Sequence, residues 1–188
     1  MTMTNDFLYI DVETQRTAEE CGGFSAEAIL RRGLAVAVTW RKANGGYRSY
    51  GEHDCTQLVA DMEAAECVVG FNCLNFDFGV IGGHVPFTTP RTLDLGVLIQ
   101  ELLGFRIGLD ALTLGTLGRI RASDGNRNTA LWKAGKHSIA ERNCQRDVSI
   151  IRSLHDFILT TGWLAYIDGS GQRQGLRVPY HKVCDHTH

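Results

Sequence analysis

Asp11 and Glu13 stand two residues apart at the end of an apolar run, Phe7-Leu8-Tyr9-Ile10-Asp11-Val12-Glu13-Thr14. In a strand alternate side chains share a face, so both carboxylates point the same way at the strand's C-terminal end. Two carboxylates on one face repel each other unless a cation or a shared proton relieves them. The run holds no soft ligand, so the expected cation is hard: magnesium or manganese. The plainer alternative is an edge strand that ends in solvated acids. Further acids brought to the same place would decide between the two.

The hydropathy pattern supplies elements that could bring them. A small helix is expected over Ser25–Arg32, then Leu34 to Trp40 reads as a buried strand, apolar and rich in β-branched residues. Asn44-Gly45-Gly46 tolerates positive φ and marks a hairpin, with Tyr47 to Tyr50 returning as a third, antiparallel strand. Asp54 is placed to cap a helix whose apolar residues Leu58, Val59, Met62 and Ala65 keep helical spacing. Cys67 to Phe71 is a short buried strand, parallel to the first across that helical crossover. Asn72 or Asn75 can cap a following helix that carries Asp77 in its first turn.

Arg91 to Leu95 reads as a fifth strand, and helices follow over Val97–Leu103 and Leu109–Leu117. A polar loop from Arg119 to Asn128 leads to a short helix, Thr129–Ala134. Ser138-Ile139-Ala140-Glu141 has the capping-box pattern. Behind it a long helix stacks Cys144, Val148, Ile151, Leu154 and Ile158 on one stripe, with Asp147 at its edge. An acid there is costly unless it is paired or metal-bound. Trp163–Ile167 and Gln174–Val178, around Asp168-Gly169-Ser170-Gly171, form a terminal hairpin. The sum is an α/β fold: a mixed sheet, three strands antiparallel and the rest parallel, flanked by helices.

The 188 residues, 44% of them hydrophobic, fill one core comfortably, so residues 1–180 are expected to form one domain. The final residues 181–188 read as a flexible tail rather than a metal trap, despite their histidines. No run is long enough to span a membrane and the first residues lack a signal pattern, so a soluble, cytoplasmic protein is expected. The six cysteines are scattered without a CxxC pair, which argues against a zinc knuckle or a disulfide framework. The formal charge of −2 gives no global footprint for nucleic acid. Locally, however, Arg119, Arg121, Arg127, Lys133, Lys136, Arg142 and Arg146 face only Asp124 and Glu141 in sequence.

Three segments together resemble a known family. Ile10-Asp11-Val12-Glu13-Thr14 is similar to the first motif of DEDD-type 3′–5′ exonucleases, which have a ribonuclease-H-like fold. Val69-Gly70-Phe71-Asn72-Cys73-Leu74-Asn75-Phe76-Asp77 resembles the second, G-x-N-x-x-x-F-D. Asn143-Cys144-Gln145-Arg146-Asp147-Val148 resembles the third, commonly Y-C-x-x-D-V. Thr92-Leu93-Asp94, Leu109-Asp110-Ala111-Leu112 and Leu131-Trp132-Lys133-Ala134-Gly135 add likeness to bacterial exonuclease-like domains, stand-alone or beside helicases. The resemblance runs from about Leu8 to Pro179.

It implies a metal-dependent hydrolase of DNA or RNA. Two magnesium or manganese ions, about 3.5–4 Å apart, would be held by Asp11, Glu13, Asp77 and Asp147, with Asp11 bridging. Single-stranded or 3′-ended nucleic acid would be the partner, with a helicase or other nucleic-acid enzyme as a protein partner. Thr14, Asn72, Lys133 and Arg142 are candidate contacts. Phe76 would lie against a base or pack into the core. Where the family carries a Tyr or His that activates water, this chain has Asn143, and an amide is no base near neutral pH. Glu141 is one nearby substitute, and His137 lies farther back, where it would need an unusual loop path. A module that binds nucleic acid or scaffolds a partner, keeping the acids with weakened catalysis, is the alternative.

Overall fold

The computed structural model describes residues 6–120 and 125–179. The chain opens with β1 (Phe7–Thr14), two short helices α1 (Ala18–Cys21) and α2 (Ala26–Leu30), and β2 (Leu34–Arg41). A 3-10 turn over Lys42–Asn44 and two glycines at positive φ, Gly45 and Gly46, reverse it into β3 (Gly46–Tyr50). Then come α3 (Cys55–Glu63), β4 (Cys67–Gly70), α4 (Asp77–Gly82), β5 (Thr92–Asp94) and α5 (Leu95–Leu103). Helix α6 (Leu109–Leu112) runs on as a π turn over Thr113–Leu117. Helix α7 (Gly125–Lys133), the long α8 (His137–Thr161) and the hairpin β6 (Trp163–Ile167) and β7 (Arg173–Arg177) complete it.

The five-stranded sheet has the order β3-β2-β1-β4-β5. β1 is antiparallel to β2 and parallel to β4, β2 is antiparallel to β3, and β5 is parallel to β4. The central strand β1 therefore has neighbours on both sides, which explains its run of apolar residues. Its even residues Leu8, Ile10 and Val12 join the core beneath α3 and α4. Tyr9 packs on the other face with Val148, Ile151 and Leu154 of α8. By strand alternation Asp11 and Glu13 share that α8 face. The predicted α8 stripe is fully buried, each Leu or Ile contributing roughly 1.5–3 kcal/mol of transfer free energy.

Three local expectations are corrected. Asp54 makes no side-chain cap to α3; its carboxylate instead accepts from the Gly51 amide at 2.9 Å, closing the 3-10 turn before the helix. Ser138 lies inside α8, which begins one residue earlier after Lys136, and Glu141 accepts a hydrogen bond from Ser49 Oγ rather than closing a capping box. The loop after Arg119 is shorter than expected because α7 starts at Gly125. Arg121, Asp124 and the tail 181–188 lie outside the described residues. Among the described residues no helix is long and apolar enough to cross a membrane.

Candidate functional site

Four carboxylates meet at the C-terminal edge of β1. Asp11 and Glu13 come from that strand, Asp77 from the first position of α4 and Asp147 from α8, and all four line a cleft of about 320 Å3. Asp147 belongs to the buried stripe of α8, one turn from Asn143, so the packing that seats the helix on β1 delivers it. The pairing register of β1 slips between Glu13 and Thr14, an irregularity that bends the strand where the site begins.

Asp77 depends on a turn that the sequence pattern only half disclosed. Neither Asn72 nor Asn75 caps α4; the residue before the helix is Phe76, with no side-chain cap. Asp94 holds this turn instead. Its Oδ1 accepts from the amides of Asn72 (2.7 Å) and Gly96 (2.9 Å), and its Oδ2 from that of Leu74 (3.0 Å). The same carboxylate caps α5. The close fit explains two glycines: a Cβ on Gly96 would lie 3.0 Å from the Asn72 nitrogen, and one on Gly70 would lie 2.6 Å from the Cys73 side chain. Asn72 takes φ +62°, a left-handed conformation that Asn tolerates. Sequence reasoning noted Asp94 within a family-like segment but gave it no role, although an Asp just before a helical apolar run was the available signal.

The electrostatics favour a cation. Asp77 is 4% exposed, and its carboxyl is pushed well above the ordinary value by burial, then by the charges of Asp11 and Asp94. A buried acid of this kind needs a proton or a positive ion. Asp11 and Glu13 carboxylates and the Cys144 thiol lie within 4.8 Å of one another. Burial and the neighbouring charges of Asp11 and Glu13 push the Cys144 thiol well up, so it stays protonated and donates to the Asp11 carbonyl at 3.2 Å. The available donors are therefore carboxylate oxygens, which suit a hard divalent ion.

Asn143 takes a different job from the expected Tyr. It is 7% exposed, and its Nδ2 donates to Asn128 Oδ1 at 2.8 Å. Asn128, fully buried on α7, in turn donates from Nδ2 to Glu13 Oε1. Arg146 Nη1 reaches Asn143 Oδ1 at 3.4 Å. This amide relay fixes the orientation of Glu13 from two helices. Neither substitute base serves the cleft: Glu141 is bonded to Ser49, and His137 stacks on Trp132 with ring centroids 3.9 Å apart.

The remaining candidates divide. Asn72 and Phe76 line the acid cleft. Thr14 lines an adjoining cleft of about 350 Å3 that shares Val12, Glu13 and Phe76 with it, and its hydroxyl lies 3.4 Å from Thr129 Oγ1. A third cleft of about 230 Å3 shares Phe71 and Asn72 and adds Gln100 and Arg106. The three make one trough with the acids in the middle. Lys133 is not among its lining residues; it pairs with Glu20, whose carboxyl its ammonium holds down at about 2. Arg142 is an exposed residue of α8 and does not line the trough either.

No protein-family profile and no curated relative matches the chain at the sequence level. Two solved structures are similar to it in fold. The family B DNA polymerase of the hyperthermophilic archaeon Pyrobaculum calidifontis is 16% identical over 82% of this chain, with a TM-score of 0.59. RNase D of Trypanosoma brucei is 14% identical over 83% of it, also with a TM-score of 0.59. The match covers 24% of the polymerase chain and 58% of the RNase D chain. The chain thus has a ribonuclease-H-like α/β fold with an added C-terminal hairpin.

Proposed function

We propose that the protein is a metal-dependent 3′–5′ exonuclease, one DEDD-type domain over residues 1–180, which hydrolyses phosphodiester bonds of DNA or RNA. The observation that carries this reading is the convergence of Asp11, Glu13, Asp77 and Asp147 on one cleft in this fold. Four acids would hold two magnesium or manganese ions, which balance their charge. Bound divalent ions would supply Lewis-acid polarisation of the phosphate and neutralise charge developing in the displacement.

The chain's own residues do the positioning. Asn128, held by Asn143, keeps one Glu13 oxygen oriented and leaves the carboxylate fixed for coordination. Asp94 clamps the turn that sets Asp77 at the head of α4. Phe76 and Val12 wall the trough on the side of Thr14, where the terminal nucleotide would lie. The test is digestion of end-labelled single-stranded DNA and RNA with magnesium or manganese, comparing the native protein with Asp11→Asn. Shortening from the 3′ end by the native protein alone is the expected result, and circular substrates should survive. Equal degradation by both proteins would sink the reading.

The engagement of Asn143 in the amide relay favours one alternative, a module that binds nucleic acid with weakened turnover. It predicts salt-sensitive binding with no product.

A further inference from the structure

Arg32 sits just before β2, 4% exposed, in the cleft that adjoins the acids. Its guanidinium carbon lies 5.2 Å from the Phe24 ring centroid and 5.5 Å from that of Phe76. Among the described residues its guanidinium hydrogen bonding is one long contact, Nη2 to the Gly23 carbonyl at 3.3 Å; Nε has no partner. A charge buried this deeply is costly unless acceptors meet it, and the ring faces supply none along the guanidinium plane. The cleft therefore calls for a ligand that brings acceptors to Arg32.

Its other walls say what kind. Phe24 and Phe76 present flat apolar surfaces, with Phe24 76% exposed, and the Glu13 carboxylate on the same cleft disfavours a second anion. A neutral planar ring with acceptors on its edge satisfies all three conditions. Bases stack on aromatic side chains, and Arg pairs best with guanine, whose O6 and N7 lie side by side; adenine sets an amino donor beside its N7. The cleft shares Val12, Glu13 and Phe76 with the acid site, so this base belongs to a nucleotide whose phosphate reaches the acids. We propose that Arg32, between Phe24 and Phe76, reads the edge of the terminal base and selects guanine. The inference rests on the exonuclease reading above.

Equilibrium titration of the full chain with GMP, AMP, CMP and UMP, with and without manganese, tests it apart from turnover. The native protein should bind GMP about tenfold tighter than AMP, the discrimination of one good bidentate pair. Arg32→Lys, which keeps the charge and loses the fork, should bring the ratio near one. Phe24→Ala alters an exposed side chain, leaves folding intact, and should weaken all four nucleotides alike. Equal native affinities, no binding of any mononucleotide at millimolar concentration, a preference that survives in Arg32→Lys, or unchanged binding by Phe24→Ala would each overturn the inference. Selective GMP binding by a chain that leaves every oligonucleotide intact would keep it and sink the exonuclease reading. Digestion of all 3′ ends at one rate would do the reverse.

Discussion

At the start of β1 the Asp6 carboxylate lies against Arg41, which is 8% exposed and also donates to the carbonyl of Ala64 at 2.6 Å. At the far end of the same strand Asp11 and Glu13 meet Asp77 and Asp147. The hydrogen bonds from Arg41 hold the Asp6 carboxyl below its ordinary 3.8. Burial and like charges push that of Asp77 well above the same value. On α3, Asp61 repeats the satisfied pattern: burial pushes it up, but hydrogen bonds from Tyr50, Arg48 and Gln57 outweigh that and lower it. One end of the sheet is built for stability at neutral pH, and the other gives up stability to keep acids together. That difference marks the second end as a site rather than a surface.

The largest effect should come from removing an acid at the costly end. Asp11→Asn should lower nuclease turnover by at least on the order of 10²–10³-fold, the loss typical of a missing electrostatic stabiliser, measured by single-turnover digestion. At the other end Arg41→Met should leave metal binding unchanged and destabilise the fold by about 2 kcal/mol in urea melts. Asp6 also fixes a pH dependence. Its folded pKa is depressed, so its contribution is present above about 3.8 and fades as pH falls through the lower folded value. The gap between native and Arg41→Met melts should narrow over that window.

Asn128→Ala should sharpen the contrast from within the site. Losing the donor to Glu13 should weaken manganese binding by about 10–100-fold, read by calorimetry, with the fold intact. Asn143→Tyr should not raise activity, because a ring at that buried position displaces the amide that holds Asn128. The smallest expected effect on stability has the opposite sign. The raised Asp77 pKa is a penalty that develops as pH rises above 3.8 and persists at neutrality when no cation is bound. Asp77→Asn should therefore stabilise the metal-free protein at pH 7 by about 1 kcal/mol, roughly 2–4 °C in Tm, while abolishing turnover.

Strand β1 and the stripe of α8 were legible in sequence because period-2 and period-3.6 patterns are local. So were Asp77 and Asp147, once the resemblance to the exonuclease motifs tied them to Asp11 and Glu13. Asn128 was not legible: it lay at the end of what reads as a polar loop, and its partner Glu13 is 115 residues away. Asp54, Asn72 and Ser138 have good capping chemistry, yet Asp54 accepts from the Gly51 amide, Ser138 lies inside α8, and the Leu74 amide two residues after Asn72 goes to Asp94. Arg32 gave no pattern at all, since its meaning lies in two rings that fold around it. Long-range polar partners carry no periodicity, and the site's supporting residues are of that kind.

The central claim is that the far end of β1 is a divalent-metal platform. Crystals soaked in manganese, with anomalous diffraction recorded at the manganese edge, test it directly. Two anomalous peaks coordinated by Asp11, Glu13, Asp77 and Asp147, lost in Asp11→Asn, are the predicted result. A map with no peak among those four carboxylates would contradict it.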